Sequence, residues 1–227
     1  MRVVHGLDFE VEKGRVLALL GANGAGKTST IMSLAGHVAV QEGRVVYQDQ
    51  DITHASPMKR IKAGLAVVPE GRRLFPNLSV RENLIVGGYS RPKPQTSTNM
   101  QKVISLFPRL GERLNQTAGS LSGGEQQMLS LGRALMSEPQ LIMIDELSLG
   151  LMPKMIDICY DALSELKKSD QTIILVEQST ERALEVADQV IVLESGRNVW
   201  QGDAEQARSD AGMIDACLGL SHNGTSG

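Results

Sequence analysis

Eight consecutive residues, Gly21-Ala22-Asn23-Gly24-Ala25-Gly26-Lys27-Thr28, fit the spacing G-x-x-x-x-G-K-[ST]. Glycines let successive backbone N–H groups turn inward around a phosphate, and a helix opening at Lys27 adds partial positive charge at its N-terminus. In this pattern Lys27 reaches the outer phosphates and the Thr28 hydroxyl is a ligand for Mg²⁺, with Ser29 on the same first helical turn. A glycine-bearing turn could carry such a string for purely structural reasons. Here, however, a buried strand precedes it and a helix follows, which is the context that the chemistry requires.

A second constellation is Leu141-Ile142-Met143-Ile144-Asp145-Glu146. An apolar strand delivers two adjacent carboxylates at its C-terminal end, where open α/β sheets bind ligands. One carboxylate can hold Mg²⁺ and the next can polarise an attacking water. Many strands end in acidic residues, so this pair gains meaning only beside the phosphate loop. A third candidate is Leu121-Ser122-Gly123-Gly124-Glu125-Gln126. Two glycines at a helix start leave N–H groups open to an anion, while Ser122 with Glu125 equally makes an ordinary capping box. Both readings fit these residues.

The elements that must carry these residues are legible in the pattern. Leu7, Phe9 and Val11 alternate with Asp8, Glu10 and Glu12, which predicts a half-buried strand. The apolar run at 16–20 predicts a strand covered on both faces, 141–144 a buried strand, and 65–68 and 172–176 further strands. A short strand is expected at 44–47, and a hairpin from 190–194 and 198–201 around Ser195-Gly196. Helices are expected from Lys27 to about Gly36, from Ser56-Pro57 to Gly64, from the capping box Ser79–Glu82, from Ser122 to about Ser137, and from Thr180 to Ala187. A further helix opens at Pro153 with Met155, Ile158, Cys159, Ala162, Leu163 and Leu166 on one face. Residues 90–99, with two prolines and many polar side chains, read as a surface loop, and the final SHNGTSG as a disordered tail. Strands alternating with helices predict an α/β fold around a mostly parallel sheet, with the mainly helical stretch 72–132 inserted between its halves.

Composition narrows the class. The 227 residues are 41% hydrophobic and 22% charged, with only 3% aromatic, so the core is aliphatic. A formal net charge of -3 argues against a nucleic-acid surface. No stretch has the ~18 apolar residues that span a bilayer, and Met1–Gly6 is too short and polar for a secretory signal. Cys159 and Cys217 lack metal or redox spacing and read as free buried thiols of a reducing compartment. His5, His37, His54 and His222 show no ligand spacing and read as surface or loop residues.

The string Leu121–Gln126, lying between the phosphate loop and the acidic strand, closely resembles the signature of ABC ATPases. Val67–Phe75, Leu121–Met128, Ser148–Leu151 and Val176–Gln178 are most similar to the second ATP-binding subunit of branched-chain amino-acid importers. The resemblance implies a single ABC ATPase domain over 1–227: a P-loop NTPase (RecA-like) core at about 1–71 and 133–205, a small antiparallel N-terminal sheet, a helical subdomain at about 72–132 and a C-terminal tail at about 206–227. It implies ATP and Mg²⁺ as ligands, with Gly21–Ser29 on the phosphates, Thr28, Glu70 and Asp145 at the metal, and Glu146 as general base assisted by Lys27 and Gln178. It also implies a head-to-tail dimer, with itself or a related ATPase subunit, in which Ser122, Gly123, Gly124 and Glu125 meet the partner's nucleotide. Membrane permease subunits, an external solute-binding protein and a peripheral place on the cytoplasmic face of the inner membrane follow from the same likeness; nucleic acid does not.

Four departures stand out. Glu70 replaces the family's usual Gln, and Gln178 its usual switch His, both features of the amino-acid importer branch. Leu147 stands where that branch has proline, which frees the backbone beside the base, so that Leu147→Pro is expected to leave the fold intact. Only Phe9 precedes the phosphate loop as an aromatic. Either the true start lies upstream of Met1, or adenine is bound weakly. The alternatives are a soluble ABC protein acting on ribosomes or DNA, a module that no longer hydrolyses ATP, and an importer ATPase for urea or short-chain amides.

Overall fold

The computed structural model describes residues 3–209. The chain runs β1 (Val16–Gly21), α1 (Lys27–Leu34), β2 (Val46–Tyr47), β3 (Gln50–Asp51), α2 (Pro57–Ala63) and β4 (Leu65–Val68). Next come α3 (Val80–Gly87), α4 (Lys93–Leu106), α5 (Pro108–Gly111), a 3₁₀ turn at Ala118–Ser120 and α6 (Gly123–Leu135). It closes with β5 (Leu141–Asp145), α7 (Pro153–Lys168), β6 (Thr172–Glu177), α8 (Thr180–Val186), β7 (Gln189–Glu194), β8 (Arg197–Asp203) and α9 (Ala204–Ser209).

Six strands form one sheet in the order β4-β5-β6-β1-β7-β8. All neighbours are parallel except the β7–β8 hairpin. All six residues of β1 are buried, as a strand covered on both faces must be. Its alternation splits the core: Val16, Ala18 and Leu20 pack with apolar residues of α3, α6, α7 and α8, while Leu17 and Leu19 pack on the other face with Ala25 and Ile31. Parallel pairing puts the C-terminal ends of β4, β5, β6 and β1 side by side along one edge.

Helix starts follow their chemistry. Ser56 caps α2 with Pro57 in the first turn, and Gly64 ends it in a left-handed conformation. Full capping boxes open α3 at Ser79–Glu82 and α6 at Ser122–Glu125. Ser195 and Gly196, both at positive φ, turn the β7–β8 hairpin.

Three expectations are overturned. Leu7, Phe9 and Val11 are half-buried against the second core face and their neighbours exposed, as the alternation predicts, but residues 3–15 carry no strand. Alternation reports which side chains are covered, whereas a strand also needs a paired backbone. Residues 93–99 are helix, not loop. Pro92 caps α4 and Pro94 sits in its first turn, where proline costs nothing, while Asn99, Met100 and Val103 face inward one helical turn apart. The buried Asn99 amide donates to the Met136 carbonyl at 3.0 Å. Finally, Leu147 is fully buried in the main core, so its replacement by proline would remove packing rather than merely restore a backbone restraint.

In the strand expected at 44–47, only Val46–Tyr47 pairs, with β3. Cys159 is buried and free, and burial pushes its thiol up to about 12. Cys217, His222 and the tail lie outside the described residues.

Candidate active site

The loop from Gly21 to Gly26 leaves β1 at the edge where the parallel strands end. Gly26 caps α1 at φ 103, a backbone that side chains rarely tolerate. Lys27 is buried, and its Nζ donates to the carbonyls of Gly21 (2.7 Å) and Ala22 (3.1 Å). It lies 3.8 Å from Glu146 Oε1. Burial pulls the Lys27 pKa below its ordinary value, while Glu146, Asp145 and Glu177 favour its charge. Ala22, Asn23, Gly24 and Thr28 are exposed, and Ser29 is half-buried.

Beside this loop, β5 delivers Asp145 fully buried, with neither carboxylate oxygen hydrogen-bonded. Burial pushes its pKa up, and Glu146 and Glu70 add to the rise. The neighbouring Thr28 hydroxyl and Lys27 act against it. A buried carboxylate with free oxygens next to a hydroxyl suits a hard divalent cation. Among the described residues no three of His, Cys, Asp or Glu are placed to hold a metal ion together, so such an ion would take its remaining ligands from phosphate and water, as Mg²⁺ does.

Glu146 follows with a left-handed backbone, φ 53. Such a conformation costs a non-glycine residue about 1–3 kcal/mol and persists only where the surroundings hold it. Its N–H donates to the Val176 carbonyl at 2.9 Å, and its Oε1 accepts from Gln178 Nε2 at 2.7 Å. The bend turns the carboxylate out of the β5 line, between Lys27 on β1's side and Gln178 beyond β6. Glu70, after β4, is exposed and acts on Asp145 through charge. Lys27, Thr28, Glu70, Asp145, Glu146 and Gln178 thus gather along one edge of the sheet.

Ser122–Glu125 do not join them. Among the described residues no hydrogen bond or ion pair links that segment to the Gly21–Thr28 loop. The Ser122 hydroxyl accepts from the Glu125 N–H (3.3 Å) and donates to its carboxylate (2.9 Å), which also accepts the Ser122 N–H (3.0 Å). Arg113 and Arg109 pair with the same carboxylate at 2.9 and 3.3 Å. Burial would raise the Glu125 pKa, but these hydrogen bonds and charges outweigh it and hold it low. Gly124 is buried against α7, where any side chain would collide with Met155. Ser122 is exposed.

One buried group lies within the string Val176–Gln178 but carries no role in the sequence reading. Glu177 ends β6, accepts from the Ser148 N–H (3.0 Å) and hydroxyl (2.9 Å) and from the Tyr160 hydroxyl (3.2 Å), and so ties the turn after Glu146 to α7. Burial raises its pKa against those donors. Its traces in the sequence were a carboxylate closing an apolar strand and its place in that string; its pairing with Ser148 and Tyr160 is a property of the fold.

Among the described residues no helix is long and apolar enough to cross a membrane. The profile of a family described as ABC transporter matches residues 4–148. The chain is similar to the high-affinity branched-chain amino acid transport ATP-binding protein BraG of Pseudomonas aeruginosa, with 42% identity covering 96% of this chain and 94% of that protein. It is 33% identical to the probable branched-chain amino acid transport ATP-binding protein LivF of Archaeoglobus fulgidus, covering 97% and 94%. The crystal structure of the ADP conformation of an ATP-binding cassette shares the fold, at a TM-score of 0.83 and 24% identity over 97% of this chain and 93% of that one.

Proposed function

Since this chain belongs to the ABC transporter family as one of its ATP-binding ATPase domains, we propose that it powers an importer for branched-chain amino acids. The convergence of Lys27, Asp145, Glu146 and Gln178 at one sheet edge, beside a glycine loop, is the observation that carries the chemistry. The similarity to BraG and LivF supports the solute class.

The backbone N–H groups of Gly21–Ser29 cradle the phosphates of ATP, and Lys27 leaves its loop carbonyls to meet the outer ones. Thr28 and Asp145, with Glu70 close by, would hold Mg²⁺, which neutralises phosphate charge when bound. Glu146 takes the proton of the attacking water as general base. Its left-handed backbone and the Gln178 amide fix its aim, so little reorganisation remains at the moment of reaction. Ser122, Gly123, Gly124 and Glu125 belong to a second surface, which completes the site of a partner in a head-to-tail dimer, either a second copy or a related ATPase subunit. Membrane permease subunits receive the resulting motion at the cytoplasmic face of the inner membrane, and an external solute-binding protein supplies the solute. For this motion the chain divides into a core of about 1–71 and 133–205 and a helical subdomain of about 72–132.

Two measurements test this. The purified chain should hydrolyse ATP with Mg²⁺ and lose that activity on Glu146→Gln. Cells lacking the chain should lose energised uptake of labelled leucine, isoleucine and valine while retaining uptake of urea; the opposite pattern would move the solute to the amide class.

A further inference from the structure

The turn after Glu70 holds a strained pair. Arg72 and Arg73 both have left-handed backbones, φ 64 and 44. Helix α6 clamps them there: Ser130 Oγ donates to the Arg72 carbonyl at 3.0 Å, and the Arg133 guanidinium donates to the carbonyls of Arg72 (3.1 Å) and Arg73 (2.7 Å). Strain of this kind is retained where the surroundings over-determine it, and it concentrates at functional sites.

Its effect is to send the Arg72 side chain along the first turn of α6. Nε donates to Gln127 Oε1 (3.3 Å) and one terminal nitrogen to Gln126 Oε1 (3.2 Å). A Cβ placed on Gly123 would lie 3.3 and 3.5 Å from the two terminal nitrogens. The guanidinium therefore borders the first of the two signature glycines. Its acceptors are neutral amides, and among the described residues no carboxylate pairs with it. Glu125, the nearby candidate, is taken by Arg113, Arg109 and Ser122. Arg109 and Arg113 thus have counter-charges, and Arg72 has none. A half-buried guanidinium left without a carboxylate, with donors to spare, is a ready partner for a phosphate.

We propose that Arg72 is a phosphate-binding residue that acts in trans: with Ser122 and Gly123 it meets the γ-phosphate of the ATP held by the other protomer. This rests on the head-to-tail dimer of the proposed function. The neutral donors of Ser122–Gly124 and the start of α6 offer only a fraction of a positive charge. Arg72 would make closure depend on the third phosphate and on ionic strength, because it supplies the charge that distinguishes ATP from ADP.

The test uses the full chain carrying Glu146→Gln, which should trap an ATP-driven dimer, followed by analytical ultracentrifugation. Adding Arg72→Met should raise the dimer dissociation constant tenfold or more and flatten its salt dependence. Arg72→Lys should recover part of the affinity because it keeps the charge. ATP affinity of the monomer and thermal midpoint should not move, since Arg72 serves the partner's nucleotide. An unchanged dimer constant in Arg72→Met would overturn the proposal. So would a matched loss of dimer and thermal midpoint in both Arg72 variants, which would make Arg72 a structural latch of α6. If the Glu146→Gln chain with Arg72 intact does not self-associate on ATP, the dimer with a second copy fails, and the role of Arg72 toward the nucleotide of another copy of this chain falls with it.

Discussion

Asp145 and Glu125 are both buried carboxylates, 0% and 7% exposed, yet their surroundings treat them in opposite ways. The Asp145 carboxylate has only the Thr28 hydroxyl and Lys27 to favour its charge, a second carboxylate follows in sequence, and the pKa rises. Around Glu125 two arginines and both polar groups of Ser122 converge, and the pKa falls. Burial is therefore not what separates a reactive region from a stable one; the difference is whether the fold supplies the counter-charge or leaves it to a ligand. The sheet edge leaves it to a ligand and also keeps Glu146 in a strained backbone. The start of α6 satisfies itself as an ordinary helix cap, and its Ser122 and Gly123 remain available at the surface.

The contrast breaks most visibly at Glu146. Glu146→Gln should lower turnover by a factor of about 10² to 10⁴ while ATP binding survives, read by phosphate release and nucleotide titration. Turnover at the parental rate would move the base elsewhere. The neighbouring Leu147 probes what supports that edge from below. Leu147→Ala should cost about 2–5 kcal/mol of stability through the cavity it leaves, and Leu147→Pro should also destabilise, because it loses the same contacts. A chemical denaturation midpoint equal to the parent's would show that the strained turn does not depend on this packing.

At the other region Ser122→Ala should cost about 0.5–2 kcal/mol, the usual worth of an N-cap. It should leave ATP binding by the single chain intact, since Ser122 makes no link to the phosphate loop. Loss of monomer affinity would merge the two regions that the structure keeps apart.

Glu177 lies between the extremes, with three donors yet a raised pKa. A folded value above the unfolded one means that the fold favours the protonated form. That stabilisation is complete below the unfolded value, about 4.3, and is lost as the pH rises through the folded value. The stability of the parent relative to Glu177→Gln should therefore decline across that window. A difference that stays flat with pH would place Glu177 with the satisfied carboxylates. The smallest effect is expected at Cys159. With its thiol at about 12, it should resist alkylation at pH 8 until the chain unfolds, as followed by mass spectrometry of its peptide.

How much was legible follows from how local each signal is. The phosphate loop, the β5 carboxylates and both capping boxes are short-range patterns, and each lies in the element the pattern required. Helix α4 was missed because prolines read as loop unless they are placed in a first turn, and its inward face becomes visible only once α6 is packed beside it. The pairing of Glu177 with Ser148 spans 29 residues and that of Arg72 with Gln127 spans 55, so no window of sequence contains either.

By itself, then, the order of residues determined the α/β class, the strands of the main sheet, the helices opened by capping boxes and which side chains are candidates to meet a phosphate, because backbone propensity and side-chain spacing act within a few residues. Only the tertiary structure decided which of those groups meet. It left the Asp145 carboxylate poorly satisfied and gave the Glu125 carboxylate four donor groups, bent Glu146 toward Gln178, and buried Leu147. Each outcome depends on strands and helices distant in the chain being brought together, and charge compensation, desolvation and strain are properties of that neighbourhood rather than of the residues taken in turn.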